Sequence, residues 1–382
     1  TLDGVPLNDP FGGWVIWSQA TPESLSGLDI VRGAGAGPYG AGALTGVIAL
    51  RERDAGSALV LSLGERGGLR ASGAGVATVG PVQLVGTALY ETSDGYVPVR
   101  GSAAGAADTA LDLEGKSAAL RADVPVGAAT VSLRASAFEE ARGSGLAGAR
   151  ATASGNSLSV TAATAPVADR PGWRLQAWRR ESDLANSSVA VSADRVTTTP
   201  ANDQFETPAT GWGVNAALRG IEDKSFSGRL EWEVGADARL AEGETRERFR
   251  YMSGAFTRDR IAGGETTGAG VYGDGTWTSG PWLVAGGLRY DRWTTENGRR
   301  LERDRAAGLP TLDESDPDRS GEVVSARLGV RRDLGQGQAL RAAAYSGFRP
   351  ATLNELHRPF RVGNDLTEAN AALEPERLTG VE

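Results

Sequence analysis

Very few side chains in this sequence can do covalent or metal chemistry. There is no cysteine and a single histidine, His357. Thiolate sites, Cys nucleophiles and any site needing two imidazoles are excluded, and a Ser-His-Asp triad has one candidate base. Glu231 and Glu233 share a strand face, the spacing of a glycosidase carboxylate pair, but any solvated strand generates such pairs. The acids Asp313, Glu314, Asp316, Asp318 and Glu322 invite a Ca²⁺ reading. It fails because Arg327 stands eleven residues beyond Asp316, where an EF-hand loop needs Glu. Arg246, Arg248, Arg250, Arg258 and Arg260, with Arg349, Arg358 and Arg361 near His357, offer capture of an anionic ligand, although interspersed acids favour a solvated surface. His357 itself reads as a loop hydrogen-bonder. No catalytic residue, cofactor or metal site is assigned.

The stretch Asn8-Asp9-Pro10-Phe11-Gly12-Gly13-Trp14-Val15-Ile16-Trp17 is different. Asn-Asp-Pro and Gly-Gly mark turns, and three aromatic rings within seven residues are unusual in a loop. Asn8, Asp9, Phe11, Trp14 and Trp17 are therefore the candidate ligand-binding residues, an aromatic platform with two polar neighbours. The bland use of the same rings is as wedges that fix the segment in place. Further on, Gly35, Gly37 and Gly40 spell G-x-G-x-x-G, but Pro38 interrupts and no βα alternation follows, which argues against a dinucleotide fold.

The elements that must position these residues are strands. The chain has 382 residues and a net charge of −8, with Lys116 and Lys224 its only lysines. An acidic chain gives no general case for nucleic acid. Mean hydropathy of −0.27 leaves no apolar 20-mer for a membrane helix, though a membrane barrel averages its two faces and stays possible. From about Ser57 apolar and polar residues alternate. In 228–240, Leu230, Trp232, Val234, Ala236, Ala238 and Leu240 oppose Arg229, Glu231, Glu233, Asp237 and Arg239; in 281–293, Trp282, Val284, Leu288 and Tyr290 oppose Arg289 and Asp291. Short turns at Gly80-Pro81, 125–128, 166–172, 222–226, 278–280 and 333–337 alternate with long polar stretches near 92–116, 139–156, 182–211, 241–265, 294–320 and 349–375. That rhythm, with strands of 10–13 residues, fits an outer-membrane barrel, in which a tilted strand of roughly 9–11 residues crosses the bilayer. The fold expected is an all-β membrane protein, an antiparallel transmembrane β-barrel of about fourteen strands over 55–382, preceded by a separate Gly-rich segment over 1–54. Val284→Arg on the lipid face is expected to cost roughly 2–4 kcal/mol near midplane. Arg289→Ala, on a solvated lumen face, is expected to assemble normally.

Three motifs add a family resemblance. LDIVRGAGAGPYGAGALTGVIAL (28–50), LDGVPLN (2–8), and SGFRPATLNEL (346–356) followed by Asn370, Leu373-Glu374-Pro375-Glu376 and Val381-Glu382 resemble the plug and barrel motifs of TonB-dependent outer-membrane receptors. The resemblance implies the end of a small α+β plug domain (1–54) and part of a 22-stranded barrel in the outer-membrane lipid of a Gram-negative bacterium. It implies a TonB-type energy-transducing partner, engaged through a box expected upstream of Thr1, with further strands beyond Glu382. It also implies uptake of a scarce small-molecule ligand, a ferric siderophore first among the candidates, at the apex loop 8–17. A passive porin-like barrel or adhesion receptor, and a soluble β-rich carbohydrate-binding protein, are the alternatives.

Overall fold

The structure, a computed structural model, describes all residues except 34–36, 38–40, 168–169, 226 and 363–364. Among the described residues sixteen strands form one antiparallel sheet in which neighbours in sequence are neighbours in space. Two positions are each filled by two consecutive strands. Thr198–Glu206 and Ala209–Ser225 both lie between Gly172–Val191 and Gly228–Met252. Pro310–Ser315 and Arg319–Gly335 both pair with Trp282–Asp304. The first break has a plain cause: Pro208 has no N–H for the ladder, and the Thr207 N–H turns aside to Asp183 Oδ1 at 2.6 Å. Among the described residues the sheet therefore has fourteen strand positions, the number expected from alternation.

The faces also follow the alternation. Val214, Leu218, Val271, Leu288, Tyr290 and Val324 are exposed on one side, whereas Asp237, Tyr272, Arg289, Asp291 and Ser325 are buried on the other. The outward apolar row from Leu230 to Leu240 spans ten residue steps. At about 3.3 Å per residue and a tilt near 40° it stands about 25 Å tall, the height of a lipid-facing band.

The long connections differ from expectation. Gly228–Met252 and Ala255–Ser279 are each 25 residues long and meet in a two-residue turn, Ser253-Gly254, with φ of 52° and 85°. The stretch 241–265 is thus strand rather than loop, and 139–156 shrinks to the six residues between Gly143 and Arg150. Above the apolar band the outer face meets water instead of lipid and the inner face is lined largely by polar side chains such as Thr245, Glu247 and Arg260, so hydrophobic alternation stops while the backbone ladder continues. Cross-strand pairs such as Arg246–Glu206 (2.7 Å), Arg248–Asp203 (3.1 Å) and Arg299–Asp313 (3.0 Å) line these extensions. Arg246, Arg248, Arg258 and Arg260 of the Arg-rich stretch are accordingly neutralised in place, and Asp313 and Asp316 of the acidic loop are held by Arg299 and His357.

Residues 1–52 form a separate unit on the inner face. Leu25–Arg32 pairs with Gly46–Glu52 in a two-stranded sheet, Ile30 opposite Ile48. Wall side chains from strands far apart in the sheet reach this unit, which shows that the sheet curls around it. Arg70 and Ser72 bond Glu23 (2.9 and 2.7 Å), Arg121 and Arg134 bond Glu52 (2.9 and 3.0 Å), and Arg289 bonds the Gly37 carbonyl (3.3 Å). Bidentate Arg70 and the Ser72 hydroxyl pull the Glu23 carboxyl down to about 2. Gly37 is the one described member of the G-x-G-x-x-G; Gly35 and Gly40 lie outside the described residues.

Arg289 does not sit on a solvated face. It is 1% exposed and holds Asp237 at 2.6 and 3.0 Å and Asp291 at 2.6 and 2.9 Å. Its row is covered by the N-terminal unit, so the expectation that its loss is harmless is withdrawn.

Candidate functional site at the inner apex

The stretch 8–17 caps the N-terminal unit and faces the end of the sheet that carries the long hairpins. Asp9 organises its turn, as Asx residues do. Its Oδ1 accepts the N–H groups of Phe11 and Gly12, both at 2.9 Å, and its backbone N–H donates to the Trp14 carbonyl at 2.8 Å. Its Oδ2 accepts the Ser182 hydroxyl of the wall at 2.6 Å. Burial raises the Asp9 carboxyl above the ordinary range, and these donors oppose the rise. Asn8 is exposed and donates to the Gly13 carbonyl at 2.8 Å.

The three aromatics part company. Phe11 is fully buried between Ala209 of the wall and Leu353, with Trp14 packed against that cluster. The Phe11 carbonyl accepts the Asn354 N–H at 3.1 Å. Gly12 cannot carry a side chain, because a Cβ there would overlap the Trp14 indole. Trp17 is 56% exposed. Phe11 and Trp14 therefore act as wedges in this structure, while Asn8, Asp9 and Trp17 border open space.

That space is a cavity of about 530 Å³ between the apex loop and the wall. Asn8, Asp9 and Trp17 line one side of it, with Trp178, Trp293, Arg180, Arg239 and Arg349 on others. Of these wall residues the sequence points to Arg349 as a candidate anion-capturing cation and to Arg239 as one of a charged strand face, but not to Trp178, Trp293 or Arg180. Parity could have found Trp178: it shares the even-numbered inward row with Gln176, Arg180 and Ser182, all buried, and its ring lies over Gly213 of the next strand.

A short helix, Leu353–His357, closes the rim. Thr352 and Glu355 form a reciprocal capping box, and Arg349 grips Glu355 at 2.9 Å through both oxygens. The Arg349 guanidinium holds the Glu355 carboxyl down at about 2. His357 is buried against Gly264 and Gly298, where a Cβ would collide with its ring, and its Nδ1 meets Asp316 at 2.9 Å. Burial pushes its pKa below the ordinary value, Asp316 opposing. Among the described residues no group of three or more His, Cys, Asp or Glu side chains is placed to hold a metal ion.

Residues 100–382 match the family model "TonB dependent receptor-like, beta-barrel". The chain belongs to the TonB-dependent receptors. Its sheet superposes on solved members of similar design. A double mutant of the Serratia marcescens hemophore receptor HasR, solved with its hemophore HasA and heme, gives a TM-score of 0.74 at 17% identity over 99% of this chain and 60% of that one. The copper transporter OprC gives 0.74 at 18% identity over 100% and 60%. The ferric yersiniabactin uptake receptor FyuA of Yersinia pestis gives 0.69 at 12% over 100% and 60%. No curated protein sequence matches. This TonB-dependent receptor thus spans about three-fifths of the length of those relatives, and identities this low speak for the fold alone. The family's barrels are outer-membrane proteins, and the lipid-facing band described above is what such a barrel needs.

Proposed function

We propose that this chain is the ligand-gathering part of an energised outer-membrane uptake receptor, with residues 1–54 belonging to the plug and the cavity under the long hairpins receiving the solute. The observation that carries the reading is the composition of that cavity. Three indoles (Trp17, Trp178, Trp293) and three guanidiniums (Arg180, Arg239, Arg349) border one space above the N-terminal unit. Flat apolar faces beside cations suit an anionic organic chelate, and a ferric siderophore is the substrate class of first choice, its iron being cargo. The single histidine faces Gly264 and Asp316 rather than the cavity, which counts against a haem grip built from this chain. The buried ion pairs that fix residues 1–52 to the wall favour gated transport over a passive pore. Release against tight binding then calls for a TonB-type partner pulling on the plug. The soluble carbohydrate-binding alternative is set aside with the family membership.

The test is a titration of the full-length receptor in detergent with ferric siderophores, cobalamin and oligosaccharides, following Trp fluorescence. Saturable quenching by one ferric siderophore, weakened by Trp17→Phe, supports the reading. Quenching by cobalamin or an oligosaccharide alone replaces the substrate class, and no quenching of a folded receptor by any of them refutes it.

A further inference from the structure

A second cavity, of about 760 Å³, lies between the N-terminal unit and the same wall on the short-turn side. Pro81 and Pro125, at short turns, border its lower end, and Arg180 borders its upper end. Arg180 also lines the outer cavity, so one guanidinium stands between the two spaces. It is 4% exposed and bridges wall to N-terminal unit, donating to Gln19 Oε1 at 2.6 Å and to the Pro6 carbonyl at 3.5 Å, while its Nε has no hydrogen-bond partner.

The inner cavity has a distinctive chemistry. Ser132, Ser136, Ser157, Ser159, Thr130 and Thr161 supply a bed of hydroxyls on two adjacent strands. Six guanidiniums face it or border it, from Arg51, Arg121, Arg134, Arg174, Arg180 and Arg219. Of the lining residues only Asp3 and Asp123 are acidic, and Asp29, Glu52 and Glu233 neutralise Arg51, Arg121 with Arg134, and Arg219 from behind. With Asp9, whose carboxylate acts on Arg180 from the outer-cavity side, six positive charges meet six negative, so the positive character is local rather than net. The polar contacts of Arg174 and Arg180 are with carbonyl and amide oxygens: Arg174 donates to the Asp3 carbonyl at 2.7 Å, and Arg180 makes the two bonds given above. A water-filled space with low-dielectric walls focuses such a field and concentrates the opposite charge.

From this juxtaposition we propose that the inner cavity is an anion-selective chamber on the solute's route, with Arg174 and Arg180 as its binding cations and Arg180 as the partition from the outer cavity. The ligand class is an oxyanion or carboxylate-bearing solute, which the hydroxyl bed can solvate as it leaves the outer cavity. The proposal rests on the uptake reading for its purpose, but its chemistry can be tested without any transported ligand.

The full-length receptor is freed of other cysteines and carries Ser159→Cys on the hydroxyl bed. In detergent it is labelled with an anionic sulfonatoethyl methanethiosulfonate and, separately, with the cationic trimethylammonium reagent of similar size. Rates are normalised to Ala306→Cys in an exposed turn. The chamber predicts that the anionic reagent is favoured by about tenfold, within the range of electrostatic focusing. The preference should fall at least about threefold in Arg174→Gln and in Arg180→Gln, each checked for a folded barrel. A preference near or below one, an unreactive Ser159→Cys, or a preference untouched by both substitutions overturns the proposal. If the preference holds while no solute quenches the outer cavity, the uptake reading fails and the chamber stands.

Discussion

Replacing Arg289 by alanine decides whether the inner wall is a wet surface or part of a packed interface. The side chain makes five bonds of 2.6 to 3.0 Å with Asp237 and Asp291, and donates a sixth at 3.3 Å to the Gly37 carbonyl. All three charged residues are at least nine-tenths buried. Truncation leaves two carboxylates facing each other in a poorly solvated space, and breaking one such pair typically costs about 3–5 kcal/mol. Arg239, on the same wall row as Asp237, offsets part of the repulsion. The lower end, about 3 kcal/mol, is therefore expected, a factor of about 150 in the unfolding constant. Urea unfolding of the refolded full-length receptor, followed by the gel shift between folded and unfolded barrel, measures it. A triple variant, Arg289→Met/Asp237→Leu/Asp291→Leu, should recover most of the loss, since apolar replacement of a whole buried ionic cluster is often neutral. If Arg289→Ala unfolds within about 0.5 kcal/mol of wild type, the scale of a surface substitution, water reaches the cluster and the original reading of a solvated lumen face is right.

Other outcomes follow from the same geometry. Glu52→Gln should loosen the N-terminal unit, because Arg121 and Arg134 converge on one buried carboxylate; hydrogen exchange in Gly46–Glu52 should quicken by at least about tenfold, and unchanged exchange would sink the anchoring role. Val284→Arg should cost up to about 2–4 kcal/mol and hinder assembly, whereas Glu242→Arg, just above the apolar row, should cost about 0–1 kcal/mol; equal costs would mean that the band is misplaced. Phe11→Ala should cost about 3–5 kcal/mol of apex packing, read as faster exchange in Leu353–His357, and an unaffected helix would contradict the wedge. Acid should release that helix in two stages. The folded-state pKa of His357 lies below 6.5 and that of Glu355 near 2 against an ordinary 4.5. In each case the unfolded segment binds more protons as pH falls. The histidine contribution is thus lost below about 6.5 and the Glu355 contribution between 4.5 and about 2. Exchange of 353–357 from pH 7 to 3 tests this, and His357→Gln should abolish the upper stage only.

What the sequence revealed and what it hid divide along one physical line. A strand in lipid must alternate, because one face meets hydrocarbon and the other does not. The fourteen strand positions, the short turns near 80–81, 125–128, 278–280 and 333–337 and the outward row Leu230–Leu240 were therefore legible in the sequence. The turn expected at 222–226 is strand up to Ser225, and residues 168–169 and 226 of the two remaining turns lie outside the described residues. Where the outer face meets water rather than lipid and the inner face carries buried polar groups such as Thr245, Glu247 and Arg260, nothing enforces alternation, and the upper halves of Gly228–Met252 and Ala255–Ser279 read as loops although they continue the ladder for a dozen residues. The signal that survives there is turn chemistry: Ser253-Gly254 is a two-residue hairpin marker with both φ values positive.

The candidate site was half visible for a related reason. Unusual composition drew attention to Phe11, Trp14 and Trp17, and composition cannot say which ring will find a socket. The socket for Phe11 is built by Ala209 and Leu353, 198 and 342 residues away along the chain, so only closure of the sheet around the segment could assign it. The same closure turns Arg180 from one of forty cationic side chains into the bridge between wall, Pro6 and Gln19. Function in this fold depends on which inward residues the N-terminal unit leaves uncovered. Arg289, covered, serves as a structural clamp, whereas Arg180, half engaged and bordering two cavities, is left with chemistry to do.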